Sequence, residues 1–237
     1  METIYHPSAE RGHFNFGWLD SHHSFSFGNW HDREKVHFGA LRVLNDDVVK
    51  GGQGFDNYPH ENMEIISIPL KGALTHKDST GTEGIVYTGD VQIMSAGSGI
   101  SHSEYNASHY DNANFLQIWI FPKQPGIRPR HDQRSFHADD RRDKWQIVVS
   151  PLAEDHALWI NQEARLALIR LSAGKSITYK PAFPGNGIYL FILEGTIATA
   201  GRALEKRDGI GIAGVEQASL TAATEAEVLA IEVPMFA

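Results

Sequence analysis

The sequence predicts an all-β protein built as two tandem barrel-like lobes. Three observations carry this expectation. Short apolar runs rich in β-branched and aromatic residues recur along the chain, and Gly, Pro, Asn and Asp separate them. Segments of helical length are nearly absent, with only 139–144 and 151–157 reading as short helical turns. One hairpin pattern occurs twice: 66–72 (Ile-Ser-Ile-Pro-Leu-Lys-Gly) resembles 189–195 (Tyr-Leu-Phe-Ile-Leu-Glu-Gly), and 88–94 resembles 207–213.

Taken in order, residues 39–44, 63–70, 73–76, 91–94 and 115–121 read as strands of a first lobe spanning 1–122. Residues 123–144 read as a linker. Arg128, Arg130, Arg134, Arg141 and Arg142 are interleaved there with His131, Asp132, Asp139 and Asp140, a pattern expected of a solvated, internally paired segment. A second lobe spans 145–237, with strands at 146–149, 164–171, 187–193, 195–199 and 228–233.

The chain has 237 residues, enough for a sizeable core, with 41% hydrophobic and 21% charged residues. Nothing approaches the roughly 18 consecutive apolar residues of a membrane helix. The first residues show neither a basic start nor an apolar run, so no secretory leader is predicted and a cytoplasmic location is expected. There is no Cys, which excludes disulfides, thiolate ligands and a thiol nucleophile. The net charge of −8 argues against direct binding to nucleic acid, whose phosphates require Lys and Arg; an acidic surface suits a protein partner better.

Histidine locates the chemistry. None of the 13 histidines lies beyond His156, so a His-rich metal site can form only in the first lobe. Two segments stand out there. One runs from Gly52 through Tyr58-Pro59-His60 to Glu64; the other runs from Gly89 through Gly97 and Gly99 to His102-Ser103-Glu104. In extended backbone residues i and i+2 share a face, so Tyr58 projects with His60, and His102 with Glu104. Two imidazoles and one carboxylate are the donors of a facial triad, which suits non-haem Fe(II) with open positions. Zinc, manganese, nickel, copper or cobalt can occupy the same donors. His13, His22, His23, His31 and His37 show no same-face partner pattern in the sequence and read as surface or core residues. No phosphate-binding loop, dinucleotide fingerprint or serine nucleophile elbow is present.

The two segments resemble the paired motifs of the cupin superfamily of jelly-roll barrels. The run from Arg11 through Trp18 and Phe25 to Asn29, the run Leu41–Asp47, Met94 through Glu104, and Leu116-Gln117-Ile118-Trp119 together resemble the pirin family. The resemblance is specific over residues 11–136 and holds only in pattern beyond. It implies a bicupin: two cupin domains, with one divalent metal per chain, commonly iron, in the first. The metal would be held by His-x-His and His-x-Glu, with Glu64 a supporting residue; Gln117, on a strand that can face the pocket, reads as either a substrate contact or a structural hydrogen bond. The resemblance further implies quercetin 2,3-dioxygenase activity on a flavonol-like aromatic substrate, with Glu104 as the base for the substrate's hydroxyl proton. The alternative function is a non-catalytic, metal- or redox-sensing regulatory protein.

The sequence departs from the family at one ligand. His60, His102 and Glu104 match, but Tyr58 stands where the family's first histidine is expected. Three readings stay open: a phenolate ligand, a phenol that bonds or faces substrate beside a three-ligand metal, and a metal-free degenerate pocket.

Overall fold

A computed structural model describes residues 1–236; its regular structure is almost entirely β-strand, joined by loops and three short 3₁₀ turns. The predicted helical turns appear as Ala138–Arg141 and Ala153–Asp155. Each lobe combines one large and one small antiparallel sheet. In the first, the seven-stranded sheet runs Arg130–Ser135, Asp90–Ser95, Glu64–Lys71, Ala113–Ile120, Leu41–Val49, Leu19–His23, Gly12–Asn15. The four-stranded sheet facing it runs Gly54–His60, Ile100–Asn106, Ala73–Asp78, Glu83–Tyr87. The second lobe repeats this with six and four strands.

The predicted division of the chain is crossed in both directions. Arg130–Ser135, inside the predicted linker, pairs with Asp90–Ser95 of the first lobe. Glu2–His6, at the opposite end of the chain from the second lobe, pairs with Gly209–Ala213 there. Both are edge strands, and the wholly polar linker strand carries no apolar alternation to betray it.

The repeat is visible in three dimensions. Glu64–Lys71 and Gly187–Glu194 each lie between a partner of the hairpin and a long late strand. Gly72 and Gly195 both turn at positive φ (78° and 79°), and a Cβ on either would press on the strand behind, at Ala113 and Ala226 respectively. The second half of the repeat aligns one residue away from its sequence reading. Gly89-Asp90 corresponds to Arg207-Asp208: residues 89 and 207 both have positive φ, and both aspartates accept a bond from the backbone N–H three residues earlier.

The two large sheets pack back to back. Leu44, Ile66, Ile118 and Leu116 from one meet Leu166, Phe191, Leu229 and Ile231 from the other in a single buried cluster. The opposite faces of these sheets differ sharply. In the second lobe that face is apolar, with Leu190, Ile192, Val228 and Ala230 filling the barrel. In the first it carries a row of polar side chains in direct cross-strand register: His23, Asn45, Gln117, Ser67 and Gln92. Burying such a row is costly unless the groups find partners, so the first barrel is shaped around polar contents.

Candidate metal centre

Ile100–Asn106 carries the centre. Its residues alternate buried and half-buried, so Ile100, His102, Glu104 and Asn106 point inward. The strand lies between Gly54–His60 and Ala73–Asp78. His102 sits opposite Tyr58 on one side and Asp78 on the other, and Glu104 sits opposite His76. A register shift between His102 and Glu104 bends the strand against its Gly54–His60 neighbour.

Glu104 is almost fully buried. Its Oε1 accepts bonds from Ser67 Oγ (2.8 Å) and Gln92 Nε2 (3.2 Å), and its Oε2 from Gln117 Nε2 (2.7 Å). All three donors are neutral. His60 Nε2 faces His102 Nε2 at 3.0 Å. Burial, followed by the nearby His102, pushes the His60 imidazole down to about 4, and burial likewise lowers His102. Both rings are therefore neutral near pH 7 and offer lone pairs. Only one proton can lie between the facing nitrogens, and His102 Nδ1 is buried without a partner. A buried anion with neutral partners, beside imidazole lone pairs, fits a divalent cation.

The structure adds a residue that the sequence reading left out. Donor atoms of His76, His102 and Glu104 all lie within 4.8 Å of one another, and all three residues are buried. His76 Nε2 meets Asp78 Oδ2 at 2.8 Å, and its Nδ1 is buried with no partner. Burial alone would raise Asp78, but bonds from His76 and Thr80 outweigh it and hold the carboxyl below the usual range. An ionised Asp78 takes the Nε2–H and leaves Nδ1 as a bare donor, the arrangement that orients metal-binding histidines. The available signal was His76-Lys77-Asp78, an i, i+2 pair that begins at the end of the predicted strand 73–76 and that the structure shows to lie wholly on strand.

The other predicted residues fall in distinct places. Gln117 bears directly on Glu104. Glu64 is fully buried but points elsewhere, accepting bonds from Ser95 Oγ and from the backbone N–H of Asn161 in the second lobe; burial pushes it up to about 7. Tyr58 is 61% exposed, its ring 5.3 Å from that of His60, at the mouth of the pocket. Among the N-terminal histidines, His13 and His22 do share a face. They are paired across a hairpin with rings stacked at 4.2 Å, and His13 Nε2 lies 2.7 Å from Asp20 Oδ1. The hairpin was not legible as strand, so neither was this partnership.

His60, His102 and Glu104 line a cavity of about 660 Å³, within the range of small-molecule sites. Phe14, Phe27, Phe55, Trp119 and Phe121 give it flat aromatic walls, and Trp119 stands edge-on to His60. Among the described residues no helix is long and apolar enough to cross a membrane.

Two family models match the chain: Pirin over residues 6–120, and the quercetinase C-terminal cupin domain over 147–233. Quercetin 2,3-dioxygenase of Escherichia coli is 40% identical over 225 residues, covering 95% of this chain and 96% of that protein. A pirin-like protein of Caulobacter vibrioides is 38% identical over 227 residues, with 95% and 97% covered. The crystal structure of YhhW from Escherichia coli superimposes with a TM-score of 0.94 at 38% identity, covering 99% of each chain. The same bacterial pirin in complex with nickel(II) gives 0.93 at 37%, covering 99% of this chain and all of that one. Two cupin barrels of this likeness, one hollow and lined with donors, the other packed, place the chain in the pirin family.

Proposed function

We propose that the protein is a metal-dependent dioxygenase that opens the ring of a flavonol such as quercetin. The observation that carries this reading is the burial of Glu104 among neutral partners, beside His60, His102 and His76, at an aromatic-walled cavity. His60, His102 and Glu104 hold the metal, with Fe(II) the occupant best suited to imidazole–carboxylate donors. A bound divalent cation supplies Lewis acidity toward neighbouring substrate oxygens. The aromatic walls hold a flat polycyclic substrate with its reacting edge toward the donors and keep bulk water from that edge. Ser67, Gln92 and Gln117 fix the Glu104 carboxylate, which accepts the substrate's acidic hydroxyl proton. Tyr58 lies beside the entrance, where its phenol meets arriving substrate rather than the metal.

Protein loaded with Fe(II) is expected to consume quercetin and dioxygen in equal amounts, and His102→Ala to abolish this. Turnover by fully loaded protein no faster than an equal concentration of free metal would refute the reading.

A further inference from the structure

The cavity has a second polar pole, one to two strands along the large sheet from Gln117, which holds Glu104. Ser21 and His23 lie on Leu19–His23; Asn45 and Asp47 lie on the adjacent Leu41–Val49. In register, Ser21 is opposite Asp47 and His23 opposite Asn45, so all four share the face turned toward the cavity. None is more than 5% exposed. An interior strand face that merely packs is apolar, as the corresponding face of the second barrel is.

The four are linked but incompletely satisfied. Ser21 Oγ donates to Asp47 Oδ1 and stands 2.7 Å from His23 Nε2. With the hydroxyl hydrogen given to Asp47, His23 supplies the Nε2–H. Its Nδ1 is then a bare acceptor, and that atom is buried without a partner, as is Asn45 Oδ1. Burial pushes the Asp47 carboxyl up to about 7 and the His23 imidazole down to about 4, so near pH 7 His23 is neutral and Asp47 only partly ionised, and the cluster suits hydroxyl groups better than a second carboxylate. Buried acceptors left open cost about 1–3 kcal/mol each, which a ligand donating to them recovers. The polar row Asn45, Gln117, Ser67 connects this pole to the groups that hold Glu104.

We propose that Ser21, His23, Asn45 and Asp47 form a hydroxyl-binding subsite that grips the non-reacting end of a polyhydroxylated aromatic substrate and selects it over analogues lacking those hydroxyls. This rests on the flavonol reading above and assigns specificity within it.

The test compares quercetin with 3-hydroxyflavone, which keeps the 3-hydroxyl and 4-keto pair but has no other hydroxyl. Binding to metal-loaded protein is followed by quenching of Trp119 fluorescence, against a Trp119→Phe background control, and turnover is measured separately. Wild type is expected to bind quercetin at least about tenfold more tightly than 3-hydroxyflavone. Ser21→Ala and Asp47→Asn are each expected to bring that ratio to within about twofold of unity while leaving the affinity for 3-hydroxyflavone unchanged. Using two variants guards against one that fails to fold, which circular dichroism identifies. A wild type without preference, or folded variants that keep it, overturns the subsite; if both flavonols still turn over, the oxygenase reading survives that result. Preference that the variants lose, without turnover of either flavonol, supports the subsite and removes the oxygenase reading. Failure of wild type to bind either flavonol overturns both.

Discussion

Glu104 and His76 stand directly opposite each other on neighbouring antiparallel strands, so carboxylate and imidazole share one inward face. His76 is in turn anchored by Asp78 at 2.8 Å, and its remaining nitrogen has no partner. A ring so oriented tunes a metal site whether it binds the ion or stands just behind it.

Removing this anchor should weaken metal binding without unfolding the lobe. His76→Ala and Asp78→Asn are each expected to lower metal affinity about 10–100-fold, measured by competition with a coloured chelator. His60→Ala and His102→Ala should lose more. Unchanged affinity in both His76→Ala and Asp78→Asn would show that the Asp78–His76 pair has no bearing on the ion.

Tyr58 separates the readings left open by the sequence. Its exposure at the pocket mouth predicts that Tyr58→Phe retains a full equivalent of metal and changes KM more than kcat. Loss of metal from Tyr58→Phe, seen by elemental analysis, would instead make the phenolate a ligand. Tyr58→His restores the family's donor, and equal activity in that variant and wild type would mean that three protein ligands suffice.

Much of this site was legible because its logic is local. His60 and the His102–Glu104 pair follow from spacing along extended chain, and the central strands follow from apolar runs such as 187–193. What escaped was of two kinds. Edge strands gave no signal: Gly54–His60 contains Asn57 and Pro59, which an edge tolerates because one side of its backbone needs no partner. Arg130–Ser135 is wholly polar for the same reason. Cross-strand register gave none either. His76 beside Glu104, Ser21 beside Asp47 and His13 beside His22 are partnerships between strands whose alignment no single segment encodes.

His6 gives the fold a pH dependence that can be isolated. It sits on the N-terminal strand that crosses to the second lobe, with Nδ1 2.8 Å from Tyr189 Oη. Burial, then the charge of Lys35, pushes it down to about 4 from 6.5. Below pH 6.5 the unfolded chain takes up a proton that the fold refuses until about pH 4. The contribution is therefore complete above 6.5 and lost as pH falls through that window. Between pH 7.5 and 5 the loss should be about 2 kcal/mol. Urea unfolding of wild type and His6→Gln at both values should show a smaller pH effect in the variant by about that amount; parallel slopes would exclude it.

The placement of His60 depends on how closely two backbones approach. Gly54 begins the strand that ends at His60 and pairs with Tyr105, beside the register shift that separates His102 from Glu104. A Cβ at Gly54 would overlap the carbonyl oxygen of Glu104 and the Cα of Tyr105, and backbone atoms cannot rotate aside as a side chain would. Gly54→Ala must therefore push the His60 strand off its partner, at a cost of about 1–3 kcal/mol, the range for overpacked sites. Gly84 provides the control, because it lies in the same sheet and a Cβ there meets nothing within 4 Å. Gly84→Ala should change stability by less than about 0.5 kcal/mol. Thermal melting and retained metal should fall together in Gly54→Ala and in neither case in Gly84→Ala. If Gly54→Ala melts like the control and keeps its metal, the contact between these two backbones is not what sets His60 against His102.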